Sequence, residues 1–194
     1  MTLPVLLVIS GAPCTGKTTI GSRLAADLGL PFIHKDGIKE RMFDRLGSQD
    51  VAFSKLLSLT TYDIVYYFIQ TQLEAEGSLA VEANFKVGVD SQKFRDIQQR
   101  FPVKLFQVHC YASLEVLLER FKHRGESPER HPGHLDHLTY GDVQASLQRG
   151  DYAALQIEGM LFEVDTTDFS LLDYPTLIAA LRNAIDSYAH EAAR

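Results

Sequence analysis

The sequence predicts a three-layer α/β fold, with helices on both sides of a parallel sheet. Strand-like and helix-like segments alternate along most of its 194 residues, and this is the order that a parallel sheet requires. The first strand, residues 5–9, is the unbroken apolar run VLLVI, which is typical of a strand covered on both faces. A chain of this length is expected to form one domain, residues 1–194.

The elements follow from apolar spacing and from stop signals. A helix is predicted over residues 18–28, because its apolar residues recur at helical spacing and Gly29 stands where a helix would stop. A long helix over residues 58–76 ends at Gly77, and Pro175 suits the first turn of the final helix. The remaining predicted elements are strands at 31–33, 78–83, 103–110 and 160–164 and helices at 36–46, 91–100, 113–123 and 175–188.

Residues 125–150 interrupt this alternation. The segment holds two prolines, four glycines and three of the seven histidines, with little apolar periodicity. We therefore predict an irregular insertion. Long insertions in compact domains are commonly mobile lids or binding loops, and a lid is the interpretation that we adopt for this one.

The composition excludes several classes of protein. Hydrophobic residues make up 45% and charged residues 23% of the chain, which is typical of a folded globular protein. The net charge of −6 and the lack of a long basic run argue against partners such as long nucleic acid or an anionic membrane. Cys14 and Cys110 cannot build a disulfide framework, and no secretory signature or membrane-length apolar stretch is present, so we expect a cytoplasmic protein.

Residues 11–18, GAPCTGKT, fit the phosphate-binding pattern G-x-x-x-x-G-K-[ST] between an apolar strand and a helix. The glycines let backbone N–H groups surround a phosphate, and the helix N-terminus adds positive potential. Lys17 supplies a charge for the β/γ oxygens, and Thr18 supplies a hydroxyl ligand for Mg²⁺. We therefore expect ATP or GTP, with Mg²⁺, rather than a chance glycine-rich turn. The expected nucleotide-binding residues of this loop are Gly11, Ala12, Pro13, Cys14, Thr15, Gly16, Lys17, Thr18 and Thr19.

Further short segments follow in the order and spacing of a known family. They are HKD at 34–36, VEANF at 81–85, RFKHR at 120–124, RHPGH at 130–134 and VDTT at 164–167. Together with the loop, they make residues 5–168 resemble the small P-loop kinases of the zeta-toxin, chloramphenicol phosphotransferase and polynucleotide-kinase type. The resemblance implies a P-loop NTPase fold with a five-stranded parallel sheet in the order 2-3-1-4-5. It also implies a lid over the nucleotide and an acceptor pocket between strands two and three.

Asp36 and Lys39 follow the second predicted strand, at the edge where open α/β sheets bind ligands. The carboxylate of Asp36 can accept the proton of a substrate hydroxyl and orient it, a role that the resemblance also implies. The alternative for Asp36 is an N-cap of the following helix. Lys39, one turn further on, could meet an anionic substrate group, and a solvated surface lysine is the alternative.

Two polar residues follow the third predicted strand. Glu82 lies beside the phosphate-binding strand and could hold Mg²⁺ through a water molecule, although the family more often shows Asp near this position. Asn84 could hydrogen-bond the acceptor, and a turn-forming asparagine explains it equally well.

Three arginines precede or lie in the predicted lid. Arg120 and Arg124 are four residues apart on one helix face. The resemblance implies that one of them stacks on the nucleotide base and the other contacts phosphates, where a guanidinium neutralises developing charge. The alternative is a basic last turn that only stabilises the helix dipole. Arg130, within the lid, would also close on the phosphates, and with Lys17 and Asp36 these arginines form the expected catalytic set.

The expected activity is transfer of a γ-phosphoryl group to a hydroxyl of a small molecule by a P-loop kinase. The alternatives are a nucleotide-binding regulatory protein without phosphotransfer and a kinase of nucleotides or nucleic-acid ends. His131, His134 and His137 share a three-residue spacing, but Pro132 and Gly133 interrupt any helix that would align them as zinc ligands. The sequence leaves open the acceptor, the base preference and the oligomeric state.

Overall fold

The computed structural model describes residues 3–47 and 50–191 and confirms the predicted sheet. Five parallel strands lie in the order β2-β3-β1-β4-β5. The strands are β1 Val5–Gly11, β2 Phe32–His34, β3 Leu79–Glu82, β4 Lys104–Tyr111 and β5 Met160–Asp165. The helices are α1 Lys17–Leu28, α2 Lys35–Leu46, α3 Val51–Glu74, α4 Val87–Arg100, α5 Leu114–Glu126, α6 Asp136–Gln148 and α7 Tyr174–Glu191. Two 3-10 turns occupy Pro132–His134 and Phe169–Leu171.

Two apolar cores lie on opposite faces of the sheet. Leu7 and Ile9 of β1 pack with apolar residues of α1 and α7. Leu6 and Val8 point to the other face, where they join residues of α3 and α4. The central strand is therefore buried on both sides, as its unbroken apolar sequence predicts.

Helix α4 begins at Val87 rather than at residue 91, and two further elements differ more from the sequence prediction. Helix α3 begins at Val51 rather than at residue 58, because the Asp50 side chain accepts a hydrogen bond from the Phe53 amide and caps an earlier first turn. Helix α6 occupies part of the segment predicted to be irregular, so that prediction was wrong. The helix buries polar side chains, among them Asp136 and Ser146. The usual sequence signal of a packed helix, a stripe of apolar residues at helical spacing, is therefore weak here.

The carboxyl ends of all five strands meet at one edge of the sheet. In register, Glu82 at the end of β3 lies beside Ile9 of β1 and His34 of β2. The loop from β1 to α1 lies at this edge, and the segment from α5 to β5 leaves from it. Within the described residues, no helix is both long and apolar enough to cross a membrane.

Candidate active site

The loop between β1 and α1 has the backbone of an anion-binding turn. Gly11 and Gly16 adopt positive φ angles of 138° and 71°, and Cys14 adopts 68°, a region that residues with a Cβ seldom enter. Gly16 is the N-cap of α1 and makes no side-chain capping bond, so the first amides of the helix face the loop. Burial raises the pKa of the Cys14 thiol, which favours its role as a small spacer over a reactive one.

Glu82 joins the two polar side chains that open α1. The Thr18 hydroxyl donates to Glu82 Oε2 at 2.7 Å, and Lys17 Nζ lies 3.7 Å from Glu82 Oε1. Lys17 Nζ also donates to the Ala12 carbonyl at 3.2 Å. A hydroxyl and a carboxylate are the hard oxygen ligands that Mg²⁺ prefers, so Thr18 and Glu82 fit a magnesium site.

Asp36 is not the N-cap of α2, which removes the alternative role. His34 takes that position, and its Nδ1 accepts from the Gly37 amide at 3.1 Å. Asp36 Oδ1 lies 3.4 Å from Lys35 Nζ, and its Oδ2 lies 3.9 Å from a terminal nitrogen of Arg130. Burial would raise the pKa of Asp36, but the positive charges around it, led by Lys35, outweigh burial and hold that pKa well below its ordinary value.

Lys39 is buried, so its interpretation as a solvated surface lysine was wrong. Lys39 is only 5% exposed, and its Nζ donates a hydrogen bond to the Ser54 hydroxyl at 2.9 Å. Ser54 in turn donates to the Gly133 carbonyl at 3.0 Å. Burial, with the neighbouring charge of Lys35, lowers the pKa of Lys39 to about 8.

Asn84 presents a buried oxygen without a partner. Its Oδ1 accepts no hydrogen bond within the described structure, although buried polar atoms are normally paired. Its carbonyl accepts from the Tyr62 hydroxyl at 2.9 Å, which fixes the backbone after β3. An unsatisfied acceptor at this position is suited to a ligand that donates a hydrogen bond.

Asp136 holds two of the predicted arginines, and sequence reasoning missed it. Its Oδ2 accepts from Arg124 Nε at 2.9 Å and from Arg130 Nε at 2.8 Å. Asp136 is 7% exposed and opens α6. Because both bonds use Nε, each guanidinium keeps its two terminal nitrogens for another partner. The sequence gives no signal for Asp136, which is a single acidic residue shortly after RHPGH. The helix that it opens has weak apolar periodicity, so no pattern marks its start.

Arg120 lies apart from the other two arginines, against the loop that follows β5. Its terminal nitrogens donate to the carbonyls of Thr166 and Thr167 at 2.9 and 3.0 Å. Its guanidinium lies 5.3 Å from the centroid of the Phe169 ring. That ring also covers Gly16, where a Cβ would overlap it. Phe169 is the second residue that sequence reasoning missed, since the 3-10 turn around it has no motif.

The lid histidines contact carboxylates of α2. His134 Nε2 lies 2.8 Å from Glu40 Oε1, and His131 Nε2 lies 3.0 Å from Asp44 Oδ1. The His137 side chain lies outside the part of the chain that the structure describes. Across residues 3–47 and 50–191, no group of three or more histidine, cysteine or acidic side chains could hold a metal ion. The two histidines thus dock the middle of the 125–150 segment on α2.

These residues line two adjoining cavities. One, of about 300 Å³, follows the loop, with Lys17, Thr18, Arg120 and Phe169 among its lining residues. The other, of about 170 Å³, lies between α2, α3 and the lid. Asp36, Asn84 and Arg124 line both cavities, so they stand where the two meet. A larger cavity of about 420 Å³ lies between α3 and α4, but its lining includes no residue of the loop.

The sheet order and the loop together define a P-loop nucleotide-binding protein with the architecture of the P-loop kinases. The chain belongs to the AAA domain family (AAA_33), which matches residues 6–149. It is 36% identical to a protein of known structure from Chloroflexus aurantiacus that is assigned as a kinase, with a TM-score of 0.85 over 94% of this chain and 99% of that chain.

More distant comparisons agree on the architecture. A gluconokinase from Sinorhizobium meliloti has a TM-score of 0.55 at 17% identity, over 99% of this chain and 97% of that chain, and so shares the fold. The cytidylate kinase of Methanopyrus kandleri is 25% identical over 173 residues, which are 88% of this chain and 83% of that relative.

The shared carboxylate of Asp136 generates a test of the lid. In Asp136→Ala, Arg124 and Arg130 lose their common acceptor, so amide hydrogen exchange over residues 127–148 is expected to rise about tenfold or more without nucleotide. A non-hydrolysable ATP analogue should restore protection, because phosphate oxygens can replace the carboxylate. The matched control is Asp142→Ala on the same helix, which breaks only the exposed pair with Lys55. Equal exchange in wild type and Asp136→Ala would contradict this account.

Proposed function

We propose that the protein is a kinase that transfers the γ-phosphoryl group of ATP or GTP to a hydroxyl of a small molecule. The observation that supports it most is the meeting of two cavities at Asp36, Asn84 and Arg124, with Lys17 and Thr18 of the phosphate-binding loop lining only the first cavity. A donor and an acceptor that fill these cavities would bring their reacting atoms together at that junction. A volume of about 170 Å³ on the acceptor side favours a small molecule over a polymer end.

The donor nucleotide would lie along the first cavity. The amides of the loop and the Lys17 ammonium would hold the β- and γ-phosphates. The Thr18 hydroxyl would hold Mg²⁺ directly, and Glu82 would hold it through a water molecule. The hydrogen bond from Thr18 to Glu82 brings the two ligands together. When bound, the ion neutralises charge on the phosphate oxygens. The base would lie against Arg120 and Phe169, since a guanidinium and a ring both offer a stacking surface.

In the transfer step, the acceptor oxygen attacks the γ-phosphorus and forms the new P–O bond. The bond from γ-phosphorus to the β–γ bridging oxygen breaks, and the nucleoside diphosphate leaves with that electron pair. Arg124 and Arg130 would stabilise the charge that develops on the transferred group. Asn84 would accept a hydrogen bond from the acceptor through its unpaired Oδ1.

Asp36 would orient the attacking hydroxyl by accepting its hydrogen bond and would take its proton as the P–O bond forms. The low pKa of Asp36 makes it a weak base before bond formation begins. This suits a loose transition state, in which little proton transfer precedes the break of the old bond.

Three comparisons support a kinase activity. The structurally similar Chloroflexus aurantiacus protein is assigned as a kinase, and the Methanopyrus kandleri and Sinorhizobium meliloti proteins are a cytidylate kinase and a gluconokinase. The segments noted in the sequence favour the zeta-toxin, chloramphenicol phosphotransferase and polynucleotide-kinase type within the small P-loop kinases.

Lys17→Ala tests the donor site. It removes the charge aimed at the phosphates, so we expect loss of phosphotransfer and weaker nucleotide binding with an unchanged fold. Calorimetric titration with ADP and circular dichroism measure the two effects. Lys93→Ala, an exposed lysine of α4, is the control. Unchanged ADP affinity and turnover in Lys17→Ala would remove the loop from the function.

Asp36→Asn tests the transfer step. The variant keeps the shape of the side chain and loses its charge, so transfer should fall roughly 10²–10⁴-fold while ADP affinity and thermal stability persist. Transfer is followed with γ-labelled ATP and GTP against a panel of hydroxylated metabolites and antibiotics. Asp63→Asn, an exposed carboxylate of α3, controls for loss of a surface charge. Full acceptor turnover in Asp36→Asn would exclude Asp36 from the reaction.

Phe169→Ala tests the site of the base. Loss of a stacking ring is expected to weaken ADP binding about tenfold and to leave the affinity for inorganic tripolyphosphate unchanged, since the latter has no base. Calorimetry with both ligands separates the two contributions. The control is Leu171→Ala, an exposed residue of the same turn. An equal loss for ADP and tripolyphosphate would place Phe169 outside the base site.

A further inference from the structure

The second cavity carries an excess of positive charge. Its lining includes the five basic side chains Lys35, Lys39, Lys55, Arg124 and Arg130, against the two carboxylates of Asp36 and Asp136, with His134 beside them. Such a balance around a small cavity favours a ligand that brings negative charge.

Four of these five cations have a carboxylate partner. Asp136 holds Arg124 and Arg130, Asp36 lies beside Lys35, and Asp142 pairs with Lys55. Among the described residues, no carboxylate lies within 4.0 Å of Lys39 Nζ.

Lys39 Nζ donates to a neutral group, the Ser54 hydroxyl, and this hydrogen bond uses one of the three N–H donors of the ammonium. Ser54 uses its own proton on the Gly133 carbonyl, so its oxygen is an acceptor for Lys39 Nζ. A buried ammonium without a counter-charge is costly, and the lowered pKa of Lys39 expresses that cost. Lys35 and Asp36 of α2, and Arg130 and Asp136 of the lid segment, also bear on its charge.

We propose that the acceptor carries an oxyanion, a carboxylate or a phosphate, which binds the Lys39 ammonium while the acceptor hydroxyl lies at Asp36. This rests on the proposed kinase function and specifies its substrate class. Asp36 and Lys39 stand three residues apart on one face of α2 and both line the second cavity, of about 170 Å³. An acceptor that contacts both in this small space would be a compound of a few carbon atoms, such as a hydroxy acid or a phosphorylated polyol.

A purely structural role for Lys39 makes the opposite prediction for stability. If the chain from Lys39 through Ser54 to Gly133 served only to join α2, α3 and the lid, Lys39→Met would lower the melting temperature. If Lys39 instead binds an anion of the substrate, Lys39→Met removes a buried charge that has no counter-charge in the free protein. The melting temperature of Lys39→Met should then stay constant or rise, while affinity for the anion is lost.

The experiment compares wild type, Lys39→Met and the control Arg45→Met, which removes an exposed cation of the same helix. The first cavity is saturated with a non-hydrolysable ATP analogue, so that anions do not bind the loop. Glucose, glucuronate and glucose 6-phosphate are then titrated by calorimetry, with inorganic phosphate as the minimal probe. The three sugars share the pyranose ring and differ in the group at C6, so the series also distinguishes a carboxylate from a phosphate.

We expect wild type and Arg45→Met to bind an anionic probe at least about tenfold more tightly than glucose, and Lys39→Met to lose that preference without a fall in melting temperature. Two results would overturn the inference: no anionic probe whose binding depends on Lys39, or label transfer to glucose in preference to both anions. The second would leave the kinase proposal intact. Binding that depends on Lys39, with no label transfer from ATP or GTP to any hydroxyl compound, would support the oxyanion site and count against the kinase.

Discussion

Glu82 is 3% exposed and lies between the end of β3 and the start of α1, where it balances Lys17 and accepts the Thr18 hydroxyl. The strand register places this carboxylate beside β1 and β2, so the geometry of the loop depends on the packing of the sheet. A buried lysine and a buried carboxylate would each be unfavourable alone. Their pairing allows the loop to be formed before any phosphate arrives, which reduces the ordering cost of binding.

Other cations of the site are also paired with buried or half-buried carboxylates. Arg124 and Arg130 share the carboxylate of Asp136, and Lys35 lies beside Asp36. A triphosphate entering the first cavity would thus replace the carboxylate partners of Lys17 and Arg124, which line that cavity and are already ordered. Lys39 differs, because its partner is a neutral hydroxyl. Within the described residues, each lysine and arginine that lines the second cavity, except Lys39, has a carboxylate oxygen within 4.0 Å.

The sequence allowed the sheet, the loop and many of the residues that line the two candidate cavities to be predicted, because their signals are local. An unbroken apolar run predicts β1, and fixed glycine positions predict the turn that follows it. Gly29, which ends α1 with a φ of 67°, is another local signal. The identity of the α2 cap was not predictable in this way, since His34 and Asp36 both stand near the helix start and only the backbone angles distinguish them.

The unpredicted features depend on contacts between distant segments. Asp136 acquires its role from an arginine on α5, and Phe169 acquires its position from Gly16 at the other end of the chain. Lys39 was ambiguous because helical spacing shows which residues share a face but not what covers that face. Here α3 and the lid cover it, through Ser54 and Gly133.

The shared wall between the two cavities has a consequence for inhibition. Since Asp36, Asn84 and Arg124 border both spaces, a nucleotide joined through its terminal phosphate to an acceptor-like group would occupy them at once. Tethering makes the second contact intramolecular, and short linkers give effective concentrations on the order of millimolar. Such a bisubstrate compound would gain selectivity over other P-loop proteins from its acceptor half, because that half would contact residues outside the loop, such as Lys39 and Ser54.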